Sequence, residues 1–573
     1  MRRQAEALDS SVDVLVLGGG ALGVALTRTL ARSGVGVALV ERGDFGGEAT
    51  HDSLKIMHGG VRYVQHFDLT RIRESVRAQR AWLSAAPHLV RPLSFTIATT
   101  GWGTRGPLAL AVGMAVYRVL AGDRNRGLPP SARLPGMSLG GSRAFRRRFA
   151  ELQAHGINGY ASWADAQIRD SGRLLTECLK DAVEAGALVL NHVEAVGLLR
   201  AGHQITGAAV RDALTGREHE LRAAVTVGAL GAWGTEFMRR SGLARPALSD
   251  VSWTRNVNMV LKERIISDSG AVGLLSRQRA DAAIGSATRL YFLTPWHDVS
   301  IVGTAHDVYQ GHPDEMAISD AEVETLLHEI SVTLKRRLTL DDVAYVHMGL
   351  APAEEAGRKR AKRAVVADYA ERGLRGYLEV AANKYTTTPT LAYDMAQRVL
   401  RQLAREQRPA DFAARLPCVP LGVDPLDALG AGATADERER AWVKAIFGTR
   451  GDEILKLAEG ETGGDTVGRL FRARVAVGVR EELAVRLCDA VFRCSDLAER
   501  GRLQLADLHW CADFMARELR WTERRREQEI DMVVRRLQRH MSGGRAVSWT
   551  APSPDVPPLQ AMADRAGTRS PRD

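Results

Sequence analysis

The stretch VDVLVLGGGALG, residues 12–23, restricts the fold more than any other part of the chain. Residues 12–17 are rich in valine and leucine and read as a buried parallel strand. Gly18, Gly20 and Gly23 then fill the pattern G-x-G-x-x-G. The first permits a tight turn, the second lets backbone approach a pyrophosphate, and the third lets helix and strand pack closely. Leu22, Leu26 and Leu30 follow four apart, one face of a helix that Gly34 can end. VGVALVE is the second strand, and it places Glu41 where a carboxylate takes a ribose 2′-OH. Strand, helix, strand and terminal acid together predict a dinucleotide held at a helix N-terminus. These residues leave NAD and FAD both open.

The 573 residues are enough for more than one structural unit, and 45% hydrophobic with 25% charged residues supports a large core. The net charge of +10 comes mostly from arginine, whose forked donors suit phosphates and carboxylates. An excess this small over so long a chain does not call for nucleic acid. Cys178, Cys418, Cys488, Cys494 and Cys511 form no Cys-x-x-Cys pair, and no metal site is read from them. The opening MRRQAEALDSS lacks an apolar signal stretch, so the expectation is a reducing cytoplasm with free thiols. PLALAVGMAVYRVLAG, residues 107–122, is too short to span a bilayer. It reads as a core helix or as a helix lying in a membrane interface.

Strands and helices interleave up to about residue 405. A helix is predicted over 68–83, and residues 123–150, rich in Gly, Pro and Arg, read as an irregular excursion. DSGRLLTECLKDAVEAGALVL predicts helix then strand, and RLYFLTPWHDVSIVGTA two strands joined by a polar turn. From about 425 to 541 every periodic segment is helical, which predicts a separate C-terminal α-helical domain. VGVREELAVRLCDAVFRCSDLAE is read there as helix. The tail, 542–573, has the composition of a disordered segment.

Four further segments carry a resemblance: HGGVRY at 58–63, ADAQIRDSGRL at 164–174, PW at 295–296 with SIVGT at 300–304, and NKYTT at 383–387. In order and spacing they resemble the FAD-dependent glycerol-3-phosphate dehydrogenases, part of the DAO-type flavin oxidoreductase superfamily. The likeness runs from about residue 12 to 400. It implies FAD as the cofactor and an α/β architecture. A Rossmann-like FAD-binding domain is interleaved over 12–405 with a substrate domain built on an antiparallel sheet, ahead of the helical domain. It implies two-electron oxidation of a secondary alcohol with an anionic arm, by hydride transfer to flavin, with electrons passing on to a membrane quinone. A peripheral position on the inner face of the membrane would follow.

By the same resemblance, the segment holding Ser53, Lys55, His58, Gly59, Gly60, Arg62 and Tyr63 runs over the flavin. The two glycines let backbone pass close to a planar ring. Arg62 faces the substrate anion, and Lys384 touches substrate and flavin, where a cation stabilises charge on the reduced ring. Thr386 and Thr387 bind flavin or cap the next helix, and Gly231 is kept in a cofactor-binding turn. His58 is the first candidate for the base, with His306 and His347 behind it. Two positions depart from the family: Ala351, in GLAP, stands for a phosphate-gripping Arg, and Asn258, in RNVNM, stands near a His. Arg358, in the basic loop at 357–363, is a candidate replacement for the missing Arg. Two alternatives stay open. One is an amine or hydroxy-acid oxidoreductase of the same superfamily; the other is a flavin-binding scaffold without catalysis. Oligomeric state, including a homo-oligomer, is not legible.

Overall fold

The computed structural model describes residues 1, 3–103, 106–242, 248, 251–276, 289–354, 359–404, 434–460 and 466–540. Arg358, Cys418 and the tail 542–573 lie outside the described residues.

The apolar start of the chain forms β1 (Ser11–Leu17), α1 (Ala21–Arg32) and β2 (Val37–Glu41). Val14 to Leu17 are wholly buried, because β1 lies inside a sheet covered on both faces. It pairs in parallel with β2 on one side and with Glu218–Gly228 on the other. The parallel array extends to Leu188–Asn191 and Tyr377–Ala381. An antiparallel meander, Val193–Ala201 and Gln204–Asp212, is attached to Glu218–Gly228. One face of this eight-stranded sheet packs on α1 and the helices Ser171–Glu184 and Thr388–Gln402.

The second sheet has ten strands and is antiparallel except where Ala271–Ser276 runs beside Val90–Thr100. Its far face is covered by the helices Asp320–Ser331 and Ser142–Arg148. Ser319 caps the first of these with a complete capping box shared with Glu322. The near face is divided. Val260, Trp296, Val299, Ile301 and Tyr345 pack under C-terminal helices, while Gly349 abuts Ala49 and so faces the first unit.

Residues 123–150 differ from the expected excursion. They hold a strand, Ser138–Gly141, paired with Ile157–Ile168, and the helix Ser142–Arg148. Phe145 and Phe149, four apart and buried, anchor that helix on the far face. The stretch expected to be helical at 477–499 is also interrupted. The helix Thr466–Glu481 ends, Leu483 takes a left-handed φ of 59°, and a π-helical turn follows at Asp489–Arg493. Buried Asp489 explains the break: it accepts the N–H groups of Val485 and Arg486 and pairs with His192 at 2.9 Å.

The helices from Ala435 to Arg539 share their cores with the rest of the chain. Val443, Ile446, Phe447 and Ile454 complete the apolar layer under α1. Phe471, Val475, Phe492 and Val533 complete the near face of the second sheet. Each such buried side chain contributes about 2 kcal/mol.

Candidate functional site

At the glycine turn, Gly18 has φ 103°, open to glycine but rare for L side chains, and a Cβ there would lie 2.5 Å from the Ala229 carbonyl oxygen. A Cβ on Gly23 would sit 1.9 Å from the Gly18 oxygen. Gly20 is open, its nearest neighbour being the Thr50 hydroxyl, and as N-cap it has no side chain of its own to close the start of α1. This leaves a helix N-terminus that an anion can approach. Glu41 reaches the turn from the end of β2, accepting the Gly19 N–H at 2.6 Å and the Gly43 N–H at 2.8 Å. Burial, outweighing these donors, lifts its carboxyl above the ordinary range. The loop after β2 folds back over the turn: Gly46 N–H donates to the Gly19 oxygen, and Ala21 N–H to the Thr50 hydroxyl at 3.0 Å.

That loop leads through Ser53 and Lys55 into the short strand Ile56–Met57 and then His58. The Ser53 hydroxyl accepts the Lys55 N–H at 3.3 Å. The His58 ring is half-exposed and rests against Phe95 and Phe292. Its Nδ1 lies 3.0 Å from an oxygen of Asp165. Asp165 is buried on the strand Ile157–Ile168 and also accepts from the Gly59 N–H, Gln79 and the Trp163 indole. Burial alone would raise its carboxyl; His58 and the Gly59 N–H outweigh burial and hold it below the ordinary value. An ionised Asp165 can only accept here, so Nδ1–H of His58 donates to it, and in the neutral imidazole Nε2 is then the nitrogen with the lone pair.

Both glycines of the His-Gly-Gly segment are explained by what lies behind it. A Cβ on Gly59 would meet the Tyr117 hydroxyl at 2.4 Å, while Gly60 has φ 87° beside Ser75 and Tyr63. Tyr117 belongs to α3 (Pro107–Leu120), and Ser75 to α2 (Leu69–Ala85). Close packing against these two helices is thus one reason for glycine at both positions.

Thr386 joins this group, its hydroxyl accepting the His58 N–H at 3.2 Å. Thr387 is the N-cap of the next helix but makes no side-chain capping bond. The Lys384 ammonium lies 4.6 Å from the centre of the Tyr63 ring, and the Arg71 guanidinium lies 4.5 Å from the same ring. Arg62 is exposed on the 3-10 turn Val61–His66. Gly231, with φ 56°, opens the 3-10 turn that follows the strand Glu218–Gly228, next to Ala229 at the glycine turn.

On the second sheet, Asn258 is buried and its oxygen accepts from the Thr304 hydroxyl at 2.7 Å. His306 Nδ1 lies 2.5 Å from the Asn256 oxygen. Ala351 is buried, its carbonyl accepting from Thr254. This row offers amides, hydroxyls and an imidazole.

Lys55 and His347 need correction. The Lys55 ammonium is fully buried, donating to the His51 carbonyl at 2.7 Å and pairing with Glu499 at 2.9 Å. It is committed to the helical domain and not to a cofactor. His347 is likewise buried, with Nε2 2.7 Å from Glu499, and cannot serve as a base in a groove. Glu499 also pairs with His51 Nε2 at 2.8 Å. Burial would raise its carboxyl, but His51, Lys55 and His347 outweigh that and hold it far below the ordinary range. Sequence reasoning missed both Asp165 and Glu499. Asp165 had a signal: an acid inside an apolar strand must find donors. Glu499, in the turn at 497–501, had none.

Residues 13–398 match the family model described as FAD dependent oxidoreductase. A glycerol-3-phosphate dehydrogenase of Synechocystis sp. is 28% identical over 520 residues, which is 87% of this chain and 91% of that protein. An alpha-glycerophosphate oxidase of Streptococcus pneumoniae is 27% identical over 348 residues, 60% of this chain and 55% of that protein. The solved glycerol-3-phosphate dehydrogenase of Bacillus halodurans, complexed with FAD, has the same fold. It aligns with a TM-score of 0.69 and 18% identity over 94% of this chain and 96% of its own.

Proposed function

The chain belongs to the family of FAD-dependent oxidoreductases, and from that premise we propose that it oxidises a small secondary alcohol bearing an anionic arm, as a glycerol-3-phosphate dehydrogenase does. The names of the Synechocystis and Streptococcus relatives support this substrate class. The residues present fit FAD. Gly20, the N-cap of α1, brings no side chain between the helix N-terminus and a pyrophosphate, although the Ala21 N–H is given to Thr50, and Glu41 stands where an acid takes the ribose. Bound FAD supplies the acceptor for a hydride.

The observation that carries the reading is the His58–Asp165 pair. Asp165 fixes the tautomer, and Nε2 of His58 then accepts the hydroxyl proton of the alcohol as the C–H bond breaks. Arg62 and Lys384 orient the anionic arm, and Thr386 holds the His58 backbone. The test is anaerobic bleaching of the flavin absorbance by glycerol 3-phosphate. The wild type is expected to bleach, and H58N to lose at least about a hundredfold in rate with FAD still bound. An unchanged H58N rate would remove His58 from the role.

A second reading is favoured by Ala351 and Asn258. With no cation at either place, a carboxylate-bearing hydroxy acid or amine is better matched than a phosphate. Bleaching by such compounds and not by glycerol 3-phosphate would decide for it.

We also place the protein peripherally on a membrane, where a quinone can take the electrons. No helix among the described residues is long and apolar enough to cross one. α3 supports the placement: only Met114 and Tyr117 are buried, while Leu108 and Val119 are 72% and 81% exposed and Trp102 beside it is 86% exposed. Flotation with anionic vesicles should fall in L108S/V119S; equal flotation would sink the placement.

A further inference from the structure

The loop between β2 and His58 is held from the helical domain at several points. Arg493 pairs with Asp44 at 2.6 Å and Arg536 donates to the Gly47 carbonyl at 2.9 Å. Neither reaches the part of the loop nearest His58. In that part, residues 51–55, Asp52 lies 3.4 Å from His540 and accepts the Met348 N–H at 3.3 Å, and His51 Nε2 lies 3.1 Å from the Phe492 carbonyl oxygen, but one carboxylate grips two of its side chains at once. Glu499 binds His51 through one oxygen at 2.8 Å and Lys55 through the other at 2.9 Å, and all three side chains are buried. Lys55 also closes the segment on itself through the His51 carbonyl. Its own backbone is left-handed, φ 60°, a conformation that a lysine keeps only when its surroundings dictate it.

Both ends of this segment matter to the site. Thr50, just before it, accepts the Ala21 N–H at the start of α1. Ile56–Met57, just after it, leads straight into His58. We infer that Glu499 is a positioning residue for the cofactor site: by holding His51 and Lys55 from the helical domain, it fixes the loop that covers the glycine turn and carries His58. The inference rests on the FAD reading above. Without the carboxylate, the Lys55 ammonium would be a buried charge without its counter-ion. The segment would open to hydrate it, because an uncompensated buried charge costs more than a rearranged loop.

The test compares E499Q with E482Q. Glu482 is equally buried and also joins the helical domain to the first unit, through Arg173 at 2.8 Å, but it does not contact residues 51–55. FAD is titrated into apoprotein by the quenching of flavin fluorescence, and the visible circular dichroism of bound flavin is recorded. E499Q is expected to weaken FAD by about tenfold or more and to alter the flavin dichroism, and E499D to fall between it and the wild type. E482Q is expected to lower the urea midpoint with FAD affinity within about twofold of the wild type. E499Q binding FAD like the wild type, or E482Q weakening it equally, would overturn the inference. A wild-type chain that takes up no FAD would overturn the cofactor reading itself, a different result from either.

Discussion

Lowering the pH should loosen the seam where the last helix meets the second sheet, and His540 gives the size of the effect. His540 follows the helix Glu523–Arg539. Its carbonyl accepts the Val346 N–H at 2.7 Å, and its Nδ1 lies 2.9 Å from the Val346 carbonyl oxygen, so Nδ1 carries the proton. The ring stacks on Tyr345 with centroids 4.7 Å apart. Burial, partly opposed by Asp52, pushes the imidazole down from 6.5 to about 4. The folded value lies below the unfolded one, so between these pH values the unfolded chain binds more protons and stability falls as pH falls. The whole shift corresponds to about 3 kcal/mol, of which about 2 kcal/mol is lost by pH 5. H540F keeps the stack and loses the titration, at a cost of about 1 kcal/mol for the missing donor. Urea unfolding, followed by tryptophan fluorescence at about pH 7.5 and about pH 5, measures the difference. His51 is shifted the other way, burial being outweighed by Glu499 and Asp52, but it contributes to both proteins. The wild type should start about 1 kcal/mol more stable, cross H540F near about pH 6 and lie about 1 kcal/mol below it at about pH 5. Parallel curves would refute the assignment of the acid sensitivity to His540.

Three other outcomes are expected. G23A, whose new Cβ would lie 1.9 Å from the Gly18 oxygen, should purify with little or no bound FAD, read from the flavin absorbance of the purified protein. G59A should lower the urea midpoint by the equivalent of about 1–3 kcal/mol through overpacking against Tyr117; G59A/Y117F should recover part of it, which a clash with flavin alone would not allow. Glu379 is buried, and burial lifts its carboxyl to about 7. A raised folded value makes the folded chain hold its proton longer, so stability falls as pH rises from 4.5 through 7, and E379Q should flatten the wild-type decline in urea midpoint between about pH 6 and pH 8.

The first unit was legible because its information is local. The strand, the glycine spacing, the leucine stripe of α1 and Glu41 all lie within one stretch, and each feature restricts the next. Where the reading failed, tertiary partners had decided. Phe145 and Phe149 are the only apolar anchors in an arginine-rich run, and nothing in that run shows that a sheet face is waiting for them. Residues 477–499 have an apolar pattern compatible with one helix. The break at Leu483 follows from Asp489 meeting His192, a residue on the opposite side of the interface.

The candidate site divides in the same way. His58, Arg62 and Lys384 were picked out by motif, and the structure brings His58 next to Thr386 and Lys384 next to Tyr63. Lys55 sits in the same motif and reads the same way, yet its ammonium faces Glu499 near the other end of the chain. A cation beside a glycine pair signals a ligand only when no buried acid claims it first, and sequence does not show which acid is near. Asp165 and Glu499 therefore hold one short segment from two sides, the second sheet and the C-terminal helical region. Ala351 and Asn258 lie on the second sheet, Ala351 opposite Thr254 and Asn258 opposite His347, whose ring meets Glu499. Neither side chain brings a positive charge to an anion, and the bond between Asp165 and His58 passes through neither of them. Substitutions at 351 are thus expected to alter substrate preference with little effect on FAD and those at 499 the reverse, whereas 258, opposite the His347 that meets Glu499, is expected to act on both.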